Sequence, residues 1–163
     1  MAGRIRVIGK VRIGSSREKA LAVLWDLSNL ARYEPKVNSV RVRPEQEQEG
    51  TYCSRGLFAG LPWEALFSYR LKKNGFHSEM MCGPPGVEVS GGFVVSPGPS
   101  EGCFITHYET YRFPPWLAPM MPLVRLYLAG AMKRELRNLA KFIAAPFSSS
   151  LKLQRAIPIS VGS

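Results

Sequence analysis

The stretch Trp63-Glu64-Ala65-Leu66-Phe67-Ser68-Tyr69-Arg70-Leu71-Lys72-Lys73-Asn74-Gly75-Phe76-His77-Ser78-Glu79-Met80-Met81-Cys82 decides the fold. Its first half alternates: Trp63, Ala65, Phe67, Tyr69 and Leu71 share one face, and Glu64, Leu66, Ser68 and Arg70 the other. Period two is the mark of a half-buried strand. Asn74-Gly75 is a strong hairpin signal, so Phe76 to Cys82 returns antiparallel to it.

Working outward, the same grammar repeats. Upstream lie Val37 to Arg43, the polar turn Pro44 to Gly50, then Thr51 to Phe58 and Ala59-Gly60. Downstream, Gly83-Pro84-Pro85-Gly86 closes the hairpin, and Val87 to Val95 and Cys103 to Phe113 flank the turn Ser96 to Gly102. No helix interrupts these segments, so hairpin connections and an antiparallel sheet follow. Arg4 to Ile13 alternates as well and adds a first strand. Ser15 or Ser16 then caps a short helix carrying Ala20, Leu21, Val23, Leu24 and Leu27, and a second short turn, Ser28 to Tyr33, stops before Pro35.

At the other end a long helix runs from about Leu123 to Ala144. Leu128, Met132, Leu136, Leu139 and Ile143 fall on one face, with Arg125, Lys133, Arg134, Arg137 and Lys141 around much of the rest. About seven strands are too wide for one helix to cover flat. The expected fold is therefore α+β, a curved sheet gripping the C-terminal helix around a concave, mostly apolar cavity. Residues 1–145 form that domain; 146–163 read as a tail, in which Leu151, Leu153, Ile157 and Ile159 could dock or add a strand.

Composition sets limits. The chain has 163 residues, 45% apolar and 21% charged, as a globular domain does. No window reaches the roughly 20 apolar residues of a membrane span, and the N-terminus lacks the apolar core of a signal peptide, so a cytoplasmic location is expected. Three scattered cysteines argue against a disulfide framework. Only His77 and His107 could join them, at no ligand spacing, so no metal site is expected. No phosphate loop or other cofactor signature is present. The net charge of +10 permits an anionic partner, although a solvated basic surface is the simpler reading.

Three stretches resemble the SRPBCC superfamily, the helix-grip fold of START domains and polyketide cyclases. They are Ala20-Leu21-Ala22-Val23-Leu24-Trp25-Asp26-Leu27-Ser28-Asn29-Leu30 with Tyr33-Glu34-Pro35-Lys36-Val37, then Cys82-Gly83-Pro84-Pro85 to Gly91-Gly92-Phe93-Val94-Val95, then Leu136 to Ile143. Leu21 stands where the family usually has an aromatic. The nearest subgroup is similar to the polyketide cyclase/dehydrase and coenzyme-Q-binding branch. Such a resemblance implies a hydrophobic small-molecule ligand: a lipid, an isoprenoid quinone or a polyketide.

Candidate ligand contacts follow. Trp63, Phe67 and Tyr69 point inward, with Phe93 beside them; Leu128 and Met132 face them from the helix. Cys103 to Phe113 is ambiguous: one face is Cys103, Ile105, His107, Glu109, Tyr111 and Phe113, the other Phe104, Thr106, Tyr108, Thr110 and Arg112. The resemblance favours Ile105 and Tyr111 inside. His107 and Glu109 then face the cavity as a candidate acid–base pair. With the opposite parity both are surface residues. Arg55 could bind an anionic or enol oxygen, or be simply solvated. Trp116 and Met120, in the proline-rich approach to the helix, could close the cavity mouth, touch a membrane beside Arg125, or pack under the helix.

Three functions compete. A non-catalytic carrier ranks first, because no strong catalytic constellation is visible. A polyketide cyclase, aromatase or dehydratase comes second. A ribosome- or nucleic-acid-associated protein comes last, since no groove-reading module is recognisable.

Overall fold

The computed structural model describes residues 3–146. The tail beyond Pro146, with its apolar positions, lies outside the described residues. In chain order the elements are β1 (Gly3–Ile13), α1 (Arg17–Trp25), a 3-10 turn (Leu27–Asn29), α2 (Leu30–Tyr33), β2 (Val37–Pro44), β3 (Glu49–Phe58), β4 (Leu61–Lys72), β5 (Gly75–Cys82), β6 (Glu88–Pro97), β7 (Cys103–Phe113), a second 3-10 segment (Pro115–Met120) and α3 (Met121–Ala144). The seven strands form one curved antiparallel sheet in the order β1-β7-β6-β5-β4-β3-β2. The first strand therefore pairs with the last, and α1 and α2 carry the chain from one sheet edge to the other.

Local chemistry sets these boundaries. Ser16 caps α1 by accepting a hydrogen bond from the Lys19 amide at 3.2 Å. Trp25 ties α1 to the β4–β5 hairpin, its indole N–H shared between the carbonyls of Lys72 (3.2 Å) and Gly75 (3.0 Å). That hairpin turns one residue earlier than the sequence suggested. Lys73 and Asn74 form the turn, and Gly75 already pairs with Lys72. Glycine is required there for another reason: a Cβ would lie 1.8 Å from the Phe93 carbonyl oxygen on β6. Ala59 and Gly60 both have positive φ, 49° and 83°, as a two-residue hairpin joining Phe58 to Leu61 requires. Pro122 sits in the first turn of α3, where a missing N–H costs nothing.

The core lies between the concave face and α3. Leu128, Met132, Leu136, Leu139 and Ile143 are all buried, as their spacing predicts. Glu135 is buried among them, and periodicity alone did not single it out. On β7, Cys103, Ile105, His107, Glu109, Tyr111 and Phe113 are all buried, which settles the facing of that strand.

One close approach yields a prediction. At Gly56 a Cβ would lie 1.7 Å from the Lys36 backbone oxygen, which also accepts from the Leu57 amide at 3.2 Å and from Trp63 at 3.1 Å. Gly56→Ala should cost about 1–3 kcal/mol in urea unfolding, the usual range for overpacking. Gly14→Ala meets nothing within 4 Å and should stay within about 0.5 kcal/mol. Equal effects at the two positions would show that the Lys36 corner can give way.

Candidate functional site

Three elements aim ionisable side chains at one point in the core. The first is the corner between α2 and β2. Pro35 cannot extend the helix, so the chain turns extended at Glu34. The Lys36 amide donates to Glu34 Oε1 at 3.0 Å, and both side chains end up buried. The second element is β7, whose alternation carries His107, Glu109 and Tyr111 inward. The third is α3, which contributes Glu135.

Glu109 is the hub. Lys36 Nζ lies 3.2 and 3.1 Å from its two oxygens and 3.4 Å from Glu34 Oε1. Tyr111 donates its hydroxyl to Glu109 Oε2 at 2.9 Å. Burial alone would raise the Glu109 pKa, but Lys36 and His107 outweigh it and hold the carboxyl well below the usual range. Burial likewise opposes the Lys36 charge, and Glu109 and Glu34 overcome it, so the ammonium is held more firmly than in water. Glu34 shifts the other way: burial and the neighbouring Glu135 push its carboxyl up, favouring the neutral acid.

His107 stacks on Phe93, with centroids 3.9 Å apart and planes 9° from parallel. Its Nδ1 is 2.9 Å from the Gly92 carbonyl oxygen. A carbonyl only accepts, so Nδ1 carries a proton. Nε2 faces two carboxylates, Glu135 at 3.3 Å and Glu109 at 3.6 Å. Burial disfavours the imidazolium, yet Glu135 and Glu109 outweigh it and raise its pKa well above that of a free imidazole. Nε2 and the Glu135 carboxylate therefore meet as a buried ion pair, and the Tyr33 hydroxyl beside them is buried without a hydrogen-bond partner. An unpartnered buried hydroxyl costs about 1–3 kcal/mol.

Donor atoms of Glu34, His107, Glu109 and Glu135 all lie within 4.8 Å of one another, a juxtaposition no sequence spacing revealed. A divalent cation would there compete with an ammonium already paired to both Glu109 oxygens. Protons and Lys36 account for the geometry more simply.

The candidate residues divide. His107, Glu109, Tyr111 and Phe93 meet at the cluster, and Trp63 props it by donating to the Lys36 carbonyl. The nearest carboxylate to His107 is Glu135, not the Glu109 suggested by strand parity. Ile105, Leu128 and Met132 are buried core. Phe67 stacks on Tyr52 at 5.0 Å, and Tyr52 donates to Ser78 at 3.1 Å. Tyr69 is buried, with its hydroxyl beside Gly50. Arg55 needs correction. Tyr52, Ser54 and Gly56 turn inward, so Arg55 faces out, 62% exposed and 3.0 Å from Glu64 directly opposite on β4. Trp116 and Met120 are 74% and 48% exposed, far from closing over anything.

The interior between sheet and helix is not purely apolar. The centre of the concave face holds charged and polar side chains, because Glu34, Lys36 and Glu135 enter from outside the strand pattern. Two hollows lie away from this cluster, about 630 Å³ between β1 and α3 and about 310 Å³ on the sheet near Glu88 and Arg112. The sequence signal for Glu135 was present: it is seven residues after Leu128 and three after Met132, inside the apolar stripe. Glu34 and Lys36 flank a proline in non-repetitive chain, where no periodicity marks them.

Curved sheet and gripped helix together define a helix-grip fold. Residues 4–143 match the family model described as polyketide cyclase / dehydrase and lipid transport, and the chain belongs to that family. A Thermus thermophilus protein is similar in structure, with a TM-score of 0.75 and 18% identity over 85% of this chain and 97% of that one. The Zhui aromatase/cyclase from a Streptomyces species gives 0.71 and 13% over 86% and 94%. A START superfamily protein from Mycobacterium smegmatis gives 0.72 and 11% over 86% and 97%. At such identities the likeness speaks for the fold alone. No curated protein sequence matches the chain. Among the described residues no helix is long and apolar enough to cross a membrane.

Proposed function

We propose that this domain is an acid–base catalyst of the cyclase/dehydratase type, acting on a hydrophobic polyketone held between the sheet and α3. One observation carries the reading: the His107–Glu135 ion pair, 3.3 Å apart and buried where a lipid carrier would present hydrocarbon. The reversal of the sequence-based order, carrier first, rests on Glu34, Lys36 and Glu135.

The chemistry balances within the chain's own groups. A carboxylate, Glu135, takes an α-proton from the polyketone. The resulting enolate carbon forms a C–C bond to a second carbonyl of the same molecule. That carbonyl's oxygen takes the proton held on His107 Nε2. Proton transfer from Glu135 back to the imidazole restores the pair. Loss of water from the aldol repeats the cycle: Glu135 takes a further α-proton, His107 Nε2 gives its proton to the departing hydroxyl, the C–O bond breaks as the C=C forms, and the proton on Glu135 returns to the imidazole. Glu109, held by Lys36 and Tyr111, is too weak a base for the first step and instead keeps His107 charged.

A second reading, lipid transfer, has its own support. Trp116, Leu123 and Leu126 are 74%, 59% and 72% exposed within one short stretch of chain that includes Arg125, and Leu61 at the start of β4 is 70% exposed. Such a patch suits a membrane surface.

The deciding experiment incubates the purified protein with a panel of poly-β-ketone thioesters and follows cyclised product by chromatography. Turnover above the buffer rate is expected. Stoichiometric binding of polyketones or lipids without any product would overturn the catalytic reading and return the carrier to first place.

A further inference from the structure

The sheet face turned away from α3 carries its own pattern. On β1 the outward positions are Arg4, Arg6, Ile8, Lys10 and Arg12, all exposed. On β7, which pairs with β1, they are Phe104, Thr106, Tyr108, Thr110 and Arg112. Five of these side chains are cations and none is an acid. Arg112 pairs with Glu88 on β6 at 3.0 Å. Among the described residues Arg4, Arg6, Lys10 and Arg12 enter no ion pair. Alternate positions of a strand repeat about every 6.7 Å, a row of charge that an extended phosphate backbone can follow. Lys10 leans over the Phe104 ring, 4.4 Å from its centre, and so stays on this face.

Beside the cations lies a flat aromatic surface. Tyr108 on β7 and His77 on β5 both stand opposite Gly92, on the strand between them. Gly92 has no side chain to part them, and the Tyr108 hydroxyl meets His77 Nδ1 at 2.9 Å. The ring planes are 17° from parallel and the centroids 5.9 Å apart. Rings joined through hydroxyl and ring nitrogen at that separation lie side by side, not one upon the other. A Cβ at Gly92 would lie 2.1 Å from the Phe76 carbonyl oxygen and 3.0 Å from the Tyr108 hydroxyl, so only glycine leaves the pair intact. Glu79 Oε1, 3.2 Å from His77 Nε2, holds the imidazole from its other side. Thr110 and Ser90, paired across β7 and β6, and Thr106 add hydroxyls on the same face.

Lysines and arginines on an edge strand guard it against pairing with other chains, and β1 is an edge. That explains the charge on β1. It does not explain two rings held side by side over a glycine on the strands next to it. A sheet face that joins cations to flat aromatic rings suits unpaired bases, whose faces stack on the rings while their phosphates meet the cations. A duplex hides its base faces and would use the cations alone. An anionic membrane would also need only the cations, since rings lying side by side over β6 offer nothing to insert between lipids.

We propose that the outward face of β1, β7, β6 and β5 binds a single-stranded nucleic acid, its phosphates along Arg4, Arg6, Lys10 and Arg12 and its bases on Tyr108 and His77. This face is on the opposite side of the sheet from the buried cluster, and the proposal stands whether or not that cluster is catalytic.

The test is fluorescence anisotropy with a labelled oligothymidylate of about 12 nucleotides, within the usual site size for single strands. Binding should saturate and weaken with salt, with a slope of log K on log salt of about −3 for four phosphates. Arg6→Ala/Lys10→Ala, at exposed positions, should flatten that slope by about 1.4. Tyr108→Ala should weaken binding roughly fivefold or more, the loss of one base stack, with the slope unchanged. Tyr108→Phe keeps the ring and should stay within about twofold of wild type. His77→Ala removes the other ring and serves if Tyr108→Ala does not fold. Lys133→Ala/Arg137→Ala takes the same charge from exposed positions on α3, across the sheet, and should change affinity by less than about twofold. Equal weakening by the β1 and α3 double variants would overturn the proposal, showing only diffuse attraction to a basic protein. So would no saturable binding, full affinity after loss of either ring, or a duplex bound as tightly as the single strand. Capture of phosphatidylserine vesicles through Arg6 and Lys10, without binding of the oligonucleotide, would overturn it in favour of a membrane.

Discussion

His107→Gln should lower kcat on an accepted polyketone about 10²–10⁴-fold, the usual worth of a positioned acid–base group, while substrate affinity changes little. Glutamine keeps a donor for the Gly92 carbonyl and much of the stacking on Phe93, so packing is nearly preserved. What it removes is the transferable proton beside Glu135. The pH dependence separates this role from a structural one. Burial opposes the imidazolium, but Glu135 and Glu109 raise its pKa in the fold, whereas a free imidazole titrates at about 6.5. A raised folded value means stabilisation fully present below about pH 6.5 and lost as pH rises through the folded value. Wild-type kcat should fall over the same window, because the acid is then gone. In His107→Gln that alkaline limb and the matching fall in stability should both vanish. Stopped turnover assays and urea unfolding from pH 5 to about 10 would show this. A variant retaining full kcat, or the same alkaline limb, would assign the proton to another group.

Lys36→Met should lower the unfolding free energy by about 3–5 kcal/mol, the cost of leaving one partner of a buried pair uncompensated. Methionine nearly matches the aliphatic stem, so lost packing is small. The penalty belongs to Glu109, whose two oxygens lose the ammonium at 3.1–3.2 Å and keep only the Tyr111 hydroxyl and His107 at 3.6 Å. Its carboxyl, held low in the wild type against the push of burial, would rise. The wild type owes stability to this depressed value above the unfolded pKa of about 4.3 and loses it as pH falls. The variant escapes its penalty by protonating. The gap between them should therefore narrow in acid. Lys36→Met/Glu109→Gln should recover most of the loss, since no unpaired charge remains. A double variant no more stable than the single would show that Lys36 works chiefly through Glu34 or through packing. Chemical denaturation of the four proteins in the cycle measures the coupling directly.

Both predictions hang on residues whose importance differed in visibility. His107 and Glu109 lie on a strand, where alternation reduces the question to two parities. The burial of Ile105, Tyr111 and Phe113 at matching positions chooses between them. Arg55 went wrong by the same logic: once Tyr52 and Ser54 are inward, Arg55 must face water, and the sequence of β3 is too mixed to reveal that parity. Lys36 and Glu34 had no such grammar. They flank Pro35 in a corner, and a corner's side-chain directions follow from how the two flanking elements dock. Glu135 sat in a legible stripe, yet a charge in an apolar stripe is read as misplaced unless something is known to meet it.

What the chain's own order determined is the architecture. Alternation with period two, turn residues at regular intervals and one long amphipathic helix allow few other ways to bury apolar surface, because each of these signals is local and each acts on its own backbone. The seven strands, their antiparallel pairing and the buried face of α3 follow from it. What only the tertiary structure decided is the chemistry. It brought residues 34, 36, 107, 109 and 135 within ion-pair distances through curvature of the sheet and seating of the helix. Those distances depend on contacts between elements far apart in the chain, and the strength of a charge interaction depends on the burial that only the completed fold provides.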